Sequence, residues 1–254
     1  MGAPGVPSDA PHATSVGGTS ILNDVYHPGK TITTSWGDTL TALEEGGVVQ
    51  DPPAVLGLAG GGGGGGESIF WPKPSWQASL PGTGRQTPDV SALADPNTGF
   101  PIVITSDGEQ VLEYGWGGTS LACPIFSGFW AIANEKAGSP LGQAAPLIAG
   151  LPYGAVQDVL PSTDSTPFNV VGSITDSSGT TSYSASALFV PALYGNKYFT
   201  SAVWEADSAD YFDWGFGIDS SLTVRKGWDN ATGWGTPYGL TFINAVTDAV
   251  KKAK

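Results

Sequence analysis

Residues 117–124, Gly-Gly-Thr-Ser-Leu-Ala-Cys-Pro, join a tight glycine turn to the start of a helix. Apolar side chains recur along residues 120–136 on one helical face and also cover the others, which is typical of a buried helix. Pro124 agrees with this prediction because a proline in the first turn costs the helix little. The stretch therefore places Ser120 at the first turn of a core helix, directly after two residues without side chains.

A serine in this position suits nucleophilic chemistry. The glycines let the backbone of a substrate come close, and the helix N-terminus supplies a positive potential and a free N–H group for an oxyanion. The alternative is that Ser120 only caps a core helix, and the Gly-Thr-Ser pattern alone does not choose between the two.

An activated serine also needs a general base. The chain has two histidines, His12 and His27, which lie before a predicted strand and in a predicted turn. Neither stands in a sequence context typical of a catalytic histidine. We therefore do not expect a Ser-His-Asp triad within this chain.

The composition excludes several classes of protein. The chain has 254 residues, enough for one large domain or two small ones, and a net charge of −13 from 10 Lys+Arg and 23 Asp+Glu. This charge excludes binding to nucleic acids through phosphate neutralisation and argues against docking on anionic membranes. The 37 glycines and 20 prolines exclude a helical bundle, and the single cysteine, Cys123, excludes a disulfide framework.

The low charge also bears on where the protein works. Only 13% of the residues are charged, so protonating the carboxylates would break few ion pairs and stability would depend weakly on pH. This suits a protein outside the cell in acid, although an ordinary acidic protein fits equally well. The first residues show no signal peptide and no apolar run is long enough to span a bilayer, so we expect either a cytoplasmic protein or a piece of a longer chain. The start in a Gly/Pro-rich loop that runs straight into residues 16–19 favours the piece.

Local patterns predict the remaining organisation. Residues 13–22 are predicted to form a short buried strand, with another strand near Val90, and residues 28–66 are expected to be rich in loops. The latter end in seven glycines, Gly60 to Gly66, which form either a flexible surface loop or bare backbone that another group approaches closely.

Three further segments have distinct patterns. Residues 101–105 and 110–114 flank Ser-Asp-Gly and are predicted to form a hairpin. Residues 138–212 lack a long helix and a chemical motif, and are interpreted as a β-rich insertion. Residues 238–252 are predicted to form an amphipathic closing helix, whose terminal lysines suit its C-terminus.

Several motifs together resemble one family. Residues 117–124 resemble the serine motif of the sedolisins, the serine-carboxyl peptidases of subtilisin-like fold. Further sedolisin segments, in the same order, are similar to residues 6–19, 64–77, 85–92, 94–100 and 227–237. The similarity covers roughly residues 6–136 and 213–247. It implies an α/β fold with a subtilisin-like parallel sheet flanked by helices, incomplete in this chain. Residues 1–254 would be the C-terminal part of the peptidase domain, with 138–212 inserted in it.

The resemblance implies roles for the serine motif. Ser120 would be the nucleophile of a serine-carboxyl endopeptidase, and its backbone N–H would form half of the oxyanion hole. The family uses a glutamate base, oriented by an aspartate, in place of a histidine. In acid a histidine is protonated, whereas a carboxylate still accepts the serine proton. The resemblance thus implies a secreted enzyme acting in an acidic environment.

The acids of the family have no counterpart here. The family's glutamate and aspartate are spaced i, i+4 on a helix far upstream, and a protonated aspartic acid, the second oxyanion donor, also precedes the first matched strand. Glu109 and Glu113 have the i, i+4 spacing but flank a predicted hairpin strand, and Asp9 lies too close to the first strand. We therefore expect an upstream chain of the same precursor to supply the acids.

The resemblance also implies a calcium site. The family binds Ca²⁺ through two aspartate side chains and three backbone carbonyls, which are hard oxygen donors suited to this ion. The side-chain ligands would be Asp219 and Asp229, and the carbonyls those of Ser220, Arg225 and Gly227. Arg225 stands where a glycine is usual. The alternative is a solvated loop without calcium.

Two other functions stay open at this point. A subtilisin-type protease fragment shares the pattern Gly-Thr-Ser-x-Ala-x-Pro but is disfavoured by the calcium-loop motif. A non-catalytic structural or binding module derived from a peptidase would keep the fold and lose the chemistry. Reaction with a serine-directed probe and the pH optimum separate these alternatives.

Overall fold

The computed structural model describes residues 4–23, 29–44, 48–49, 55–160, 172–176, 179–183, 200–206, 210–216 and 222–253. Three α-helices are present in these ranges: α1 Thr119–Ala137, α2 Ala144–Ala149 and α3 Gly239–Ala253. The strands are β1 Val16–Asn23, β2 Thr31–Ser35, β3 Gly37–Glu44, β4 Val48–Val49, β5 Val55–Gly62, β6 Gly66–Pro72, β7 Gly84–Thr87, β8 Val90–Leu93, β9 Ile102–Ser106, β10 Glu109–Glu113, β11 Val156–Gln157, β12 Gly172–Asp176, β13 Gly179–Tyr183, β14 Thr200–Ala206, β15 Asp210–Phe216 and β16 Thr236–Pro237.

The strand β1 lies at the centre of a small mixed sheet. It pairs in parallel with β8 and antiparallel with β2, and Thr19 marks the overlap because it faces Leu93 on one side and Ser35 on the other. All four residues of β8 are buried. The strands predicted at residues 13–22 and near Val90 are thus confirmed, and they form the parallel pair that the fold expectation requires.

The helices pack over this sheet and form the main core. Phe242 of α3 is fully buried, and its ring contacts those of three aromatic residues of α1, with centroids 6.1–6.5 Å apart. Val90 of β8 and Ile148 of α2 belong to the same cluster. The predictions of α1 at 120–136 and of α3 at 238–252 are confirmed to within one residue at each end.

The prediction that α1 is buried all round is wrong for the described residues. Only Ala122, Phe126 and Ala133 of the helix are buried. Ile132 is half exposed and Cys123 is exposed. The apolar pattern did indicate contact on every face, but none of the described elements covers the outer face of α1.

The expectation of loops over residues 28–66 is also wrong. β2, β3 and β5 lie in this stretch, and β3 pairs with β5, with β4 and with β15 in a five-stranded sheet that β14 completes. The pairing of β15 with β3 joins this sheet to residues after 200.

The glycine run is packed against the protein itself. A Cβ atom on Gly61 would lie 3.0 Å from the Trp36 ring, and one on Gly65 would overlap the carbonyl oxygen of Asn230. Of the two interpretations of this run, close approach to bare backbone is therefore correct. The groups that approach it belong to this chain.

The predicted hairpin is confirmed as β9 and β10. Asp107 and Gly108 occupy its turn with φ values of 51° and 86°, as a type I′ turn requires. Much of the interval 138–212 lies outside the described residues, so the extent of the insertion stays a prediction. No helix in the described ranges is long and apolar enough to cross a membrane.

Candidate active site and metal loop

The carboxyl end of β8 holds the turn that precedes Ser120. After the strand, the Ala94 N–H donates to Thr19 O of β1 at 2.9 Å, which fixes the chain against the sheet. The Ala94 carbonyl then accepts the Gly118 N–H at 2.5 Å. The glycine turn is therefore fastened directly to the central sheet.

Both glycines of the turn are required by geometry. A Cβ atom on Gly117 would lie 2.5 Å from both Ala94 O and Pro96 N, a separation that real Cβ atoms do not show. Gly118 has a φ of 80°, in the left-handed region that side chains disfavour. The sequence Gly-Gly thus lets the chain pass close to the strand end and enter α1 at a fixed angle.

Ser120 lies exposed in the first turn of α1. The N–H groups of Leu121 and Ala122 both donate to Gly118 O, at 2.9 and 3.3 Å, whereas the Ser120 N–H has no acceptor in the described part of the chain. The first N–H groups of a helix have no partner within it, and their partial positive charge attracts anions. The Ser120 amide and hydroxyl are therefore both available to a group that approaches from outside.

The titratable groups considered for Ser120 are placed elsewhere. Glu113 accepts a hydrogen bond from the indole of Trp116 at 2.9 Å on the exposed hairpin. Asp9 is buried and accepts from Ser68 Oγ at 2.6 Å. His27 lies outside the described residues, and within them no imidazole or carboxylate forms a hydrogen bond with Ser120.

At the amino end of β8, a buried ion pair fastens the strand to β1. The two terminal guanidinium nitrogens of Arg85, Nη1 and Nη2, donate to the Asp89 carboxylate, and the Ser15 N–H donates to the same group at 2.8 Å. Burial raises the pKa of Asp89, and the hydrogen bonds and charge of Arg85 act against this rise. Arg85 also stacks over the Trp76 ring, with its central carbon 4.8 Å from the ring centroid.

The loop that carries Asp229 is fastened to the same end of β8. Trp228 donates from its indole to Pro88 O at 2.9 Å, and the Trp234 N–H donates to Asp89 O at 3.0 Å. Gly233, with a φ of 66°, lies so close to Asp89 that a Cβ atom would approach its carbonyl carbon to 2.5 Å. The loop is thus held by the strand and by its own tight turn.

The Asp229 carboxylate is fully buried and organises this loop. Its Oδ1 accepts the N–H groups of Ala231 and Thr232, at 2.9 and 2.6 Å, and its Oδ2 accepts the Arg225 N–H at 3.2 Å. Burial raises the pKa of Asp229, and these backbone hydrogen bonds lower it in part.

The structure brings together three of the five predicted calcium ligands. Arg225, Gly227 and Asp229 lie in one turn of chain, in which the Arg225 guanidinium also donates to Trp228 O at 2.9 Å. Asp219 and Ser220 lie outside the described residues, so their assignment stays a prediction.

Asp158 lies beside this loop and was missed by the sequence analysis. Its Oδ2 accepts the Gly227 N–H at 2.8 Å, and its Oδ1 is buried without a hydrogen-bond partner. Asp158 follows β11, whose residue Gln157 pairs with Thr236 of β16. This long-range pairing places Asp158 next to the loop, and no local sequence pattern predicts that position.

Asp158 and Asp229 are the two acidic side chains of this loop region that the structure describes. No group of three or more His, Cys, Asp or Glu in the described ranges is arranged to hold a metal. A metal here would therefore depend on backbone carbonyl oxygens as well as on carboxylates.

Three curated relatives match the chain. Kumamolisin from Bacillus sp. (strain MN-32) is 40% identical over 101 residues, which are 36% of this chain and 17% of that protein. Xanthomonalisin from Xanthomonas sp. (strain T-22) is 33% identical over 138 residues, 54% of this chain and 15% of that protein. Sedolisin from Pseudomonas sp. (strain 101) is 34% identical over 140 residues, 54% of this chain and 20% of that protein.

A solved structure has the same fold. Pseudomonas sedolisin, a serine-carboxyl proteinase complexed with two molecules of pseudo-iodotyrostatin, superposes with a TM-score of 0.54 and 23% identity, over 97% of this chain and 48% of that chain. No family model matches the chain. The resemblance to the sedolisin family and the incomplete subtilisin-like α/β fold are confirmed. The chain spans a fifth or less of each curated relative and about half of the solved structure.

Proposed function

We propose that this chain, a relative of the sedolisin peptidases, is the serine-bearing part of a serine-carboxyl endopeptidase that hydrolyses peptide bonds in acid. Ser120 would attack the scissile carbonyl, and the Ser120 N–H would donate to the oxyanion that forms. The single observation that carries this proposal is the exposed Ser120 at the start of α1, with a free amide, on a glycine turn fastened to the sheet.

The general base would come from a second polypeptide segment. A carboxylate suits this role at low pH, since it still accepts a proton where a histidine is already protonated. We infer that an upstream chain of the same precursor supplies the glutamate, its orienting aspartate and the protonated aspartic acid of the oxyanion hole.

One feature supports a missing neighbour of this kind. Next to the start of β1, a groove of about 520 Å³ runs along the uncovered face of α1. Its lining includes Val16, Cys123, Phe126 and Trp130. An exposed helix face that carries apolar side chains is a usual place for another segment to pack.

We propose calcium as the ion for the loop of Asp229. The donor set consists of hard oxygens, namely the Asp229 carboxylate and the carbonyls of Arg225 and Gly227, with Asp219 and Ser220 as the further predicted ligands. The buried Asp158 Oδ1, which lacks a donor, is an anionic oxygen at the place where a cation would compensate it. We propose Asp158 as the second side-chain ligand, as an alternative to Asp219. When bound, the ion would stabilise the loop that holds the amino end of β8.

Secretion into an acidic environment completes the proposal. The low charged fraction of 13% supports it, and so do the described ion pairs, which are two: the buried Arg85–Asp89 and the exposed Lys251–Asp248. Few ion pairs are then available for acid to break.

The test uses the native protein and the isolated chain in parallel. The native protein is purified, and its intact mass and subunits are determined. Both samples are then assayed at about pH 4 with a serine-directed phosphonate probe and with denatured protein as substrate. We expect a second chain to co-purify, the complete protein to be labelled on Ser120 and active, and the isolated chain to be inactive.

The competing function is a non-catalytic module, which is favoured by the lack of a base next to Ser120 in the described residues. A native protein that neither reacts with the probe nor cleaves substrate at any pH would establish it. Activity restricted to neutral or alkaline pH would point to the subtilisin type.

A further inference from the structure

Two buried carboxyl groups face each other behind the turn of Ser120. Asp38 of β3 and Asp95, which follows β8, are both fully buried. Asn97 bridges them: its side-chain amide donates to Asp38 Oδ2 at 2.7 Å, and its backbone N–H donates to Asp95 Oδ1 at 2.7 Å. Thr98 adds a hydrogen bond to Asp95 Oδ2 at 3.2 Å.

The hydrogen bonding of the pair is incomplete if both groups are ionised. Asp38 Oδ1 is buried and accepts no hydrogen bond, and the Nε1–H group of the neighbouring Trp36 indole is likewise buried without a partner. The groups that act on the Asp38 carboxyl are Asp95, Asn97 and the Trp36 indole, and none of them is a cation. Two adjacent buried carboxylates without a cation repel each other strongly, whereas one proton between them removes the repulsion and supplies the missing donor.

We propose that Asp38 and Asp95 share one proton, and that the protonated pair is a positioning element for Ser120. The bond that forms is O–H···O⁻ between the two carboxyl groups, and no other reactant is needed. Such a bond between an acid and its own anion is short and strong because it is charge-assisted. The positioning role rests on the proposed function, whereas the sharing of the proton does not.

The path from the pair to Ser120 is short. Asp95 lies between Ala94, which accepts the Gly118 N–H, and Pro96, against which Gly117 is packed without space for a Cβ atom. The pair therefore ties β3 to the segment on which the glycine turn rests. Loss of the proton would push Asp38 and Asp95 apart and loosen that segment.

The pH range follows from the burial of the pair. Burial raises the pKa of Asp38 from 3.8 to about 7, and the charge of Asp95 and its hydrogen bond add to the rise. Asn97 and Trp36 lower it in part. Because the folded value lies above the unfolded one, the contribution to stability is complete below about pH 4, falls as the pH rises toward 7, and is absent above.

Few other titratable groups act on the Asp38 carboxyl. Of the residues that act on Asp38 from β3 and from the segment after β8, Asp95 alone has an ionisable side chain. Asp89 and Asp229 also have raised pKa values and contribute their own pH dependence. The measurement must therefore compare variants and not pH values alone.

The first experiment measures thermal unfolding of the full chain at pH 4 and pH 8. The variants are Asp38→Asn and, as a matched control, Asp107→Asn in the exposed hairpin turn, where asparagine tolerates the positive φ of 51°. We expect the wild-type midpoint to fall on the order of 5–10 °C between these pH values because of the pair. In Asp38→Asn an amide donor replaces the proton, so most of this fall should disappear, and the variant should melt above the wild type at pH 8.

An unchanged pH dependence in Asp38→Asn would overturn the proposal. If that variant does not fold, infrared spectroscopy of the wild type decides. A protonated carboxyl has a distinct carbonyl band, which should persist at pH 6 and be weaker in Asp95→Asn. Absence of any such band at pH 6 would show that the pair holds no proton.

The positioning role has a separate readout. In the complete protein, the rate at which the phosphonate probe labels Ser120 is measured against pH. We expect the upper pH limb of this profile to move upward in Asp38→Asn and to stay in place in Asp107→Asn. Identical limbs in all three proteins would refute the role of the pair in positioning Ser120. Failure of Ser120 to react at any pH would refute the proposed function. Whether Asp38 and Asp95 share a proton would then be decided by the melting and infrared measurements alone.

Discussion

The two ends of β8 carry two loops whose polar groups differ in their hydrogen bonding. At the carboxyl end, Ala94 holds the turn before Ser120. The hydroxyl and the backbone N–H of this serine form no hydrogen bond within the described part of the chain. At the amino end, Pro88 and Asp89 hold the loop of Asp229, whose carboxylate accepts three backbone N–H groups. The first loop keeps its donors free for another molecule, whereas the second uses its acceptors internally.

This difference agrees with a general property of α/β proteins, in which ligands bind beyond the carboxyl ends of the strands. The end that presents Ser120 is suited to chemistry and depends on further groups. The end that presents Asp229 is suited to holding the fold together. Changes at the two ends should therefore affect different quantities, activity at one and stability at the other.

The largest effect is expected from Ser120→Ala. In the complete enzyme, loss of a serine nucleophile should lower turnover roughly 10⁶-fold, with little change in the melting temperature because the side chain is exposed. Thr119→Ala, also exposed and adjacent, is the control. Robust turnover by the isolated chain that Ser120→Ala abolishes would show that the base lies within these 254 residues.

Gly117→Ala tests whether the turn is held as tightly as its contacts indicate. The new methyl group would collide with Ala94 and Pro96, so we expect a cost of about 1–3 kcal/mol in unfolding free energy. A displaced Ser120 should also lose about 10²-fold in labelling rate. Gly128→Ala in the middle of α1 meets no atom within 4 Å and should stabilise by about 0.5–1 kcal/mol. Equal behaviour of the two variants would contradict the close approach.

At the other end of the strand, Asp229→Ala should affect stability before activity. The substitution leaves the N–H groups of Arg225, Ala231 and Thr232 without their acceptor, at a cost of about 1–3 kcal/mol per buried group that stays unpaired. If calcium binds, a chelator should lower the wild-type midpoint and have no effect on the variant.

The same chelator experiment discriminates between the two candidate aspartates. Asp158→Asn and Asp219→Asn are matched substitutions, and only the true ligand should lose the response to chelator. A wild-type midpoint that does not change with chelator would eliminate the calcium site altogether. The internal hydrogen bonds of Asp229 would then be its complete role.

The smallest effect on turnover is expected from Cys123→Ala. Cys123 is exposed on the open face of α1, so it contributes little packing within this chain, and its removal should change turnover less than twofold. The same exposure predicts fast alkylation of Cys123 in the isolated chain and protection in the complete protein. A loss as severe as that of Ser120→Ala would point to thiol chemistry, and equal alkylation in both samples would argue against a covered α1.

The sequence predicted the elements that local patterns determine. The hairpin of β9 and β10 follows from Ser-Asp-Gly between two apolar runs, and α1 and α3 follow from their periodicity. The serine turn followed from two glycines and a helix start. Each of these signals is complete within about 20 residues.

What the sequence did not predict depends on contacts between distant segments. Asp158 reaches the loop of Asp229 only through the pairing of β11 with β16, and Asp38 meets Asp95 only because β3 packs near the end of β8. The outer face of α1, which carries the exposed Cys123, was expected to be buried because apolar residues occur on every face of the helix, yet none of the described elements covers it.

The glycine run has a consequence for how the chain length can vary. In most folded segments one extra residue would shift every following side chain into the wrong place. Here each shifted position is again a glycine, so the tight sites at Gly61 and Gly65 would still receive a residue that fits. A Cβ atom on Gly64 meets no atom within 4 Å, which gives an additional residue room to bulge outward. The run should therefore accept insertion of one glycine after Gly64 with almost no change in melting temperature, whereas the substitution Gly65→Ala should destabilise the fold because its Cβ atom would overlap Asn230 O.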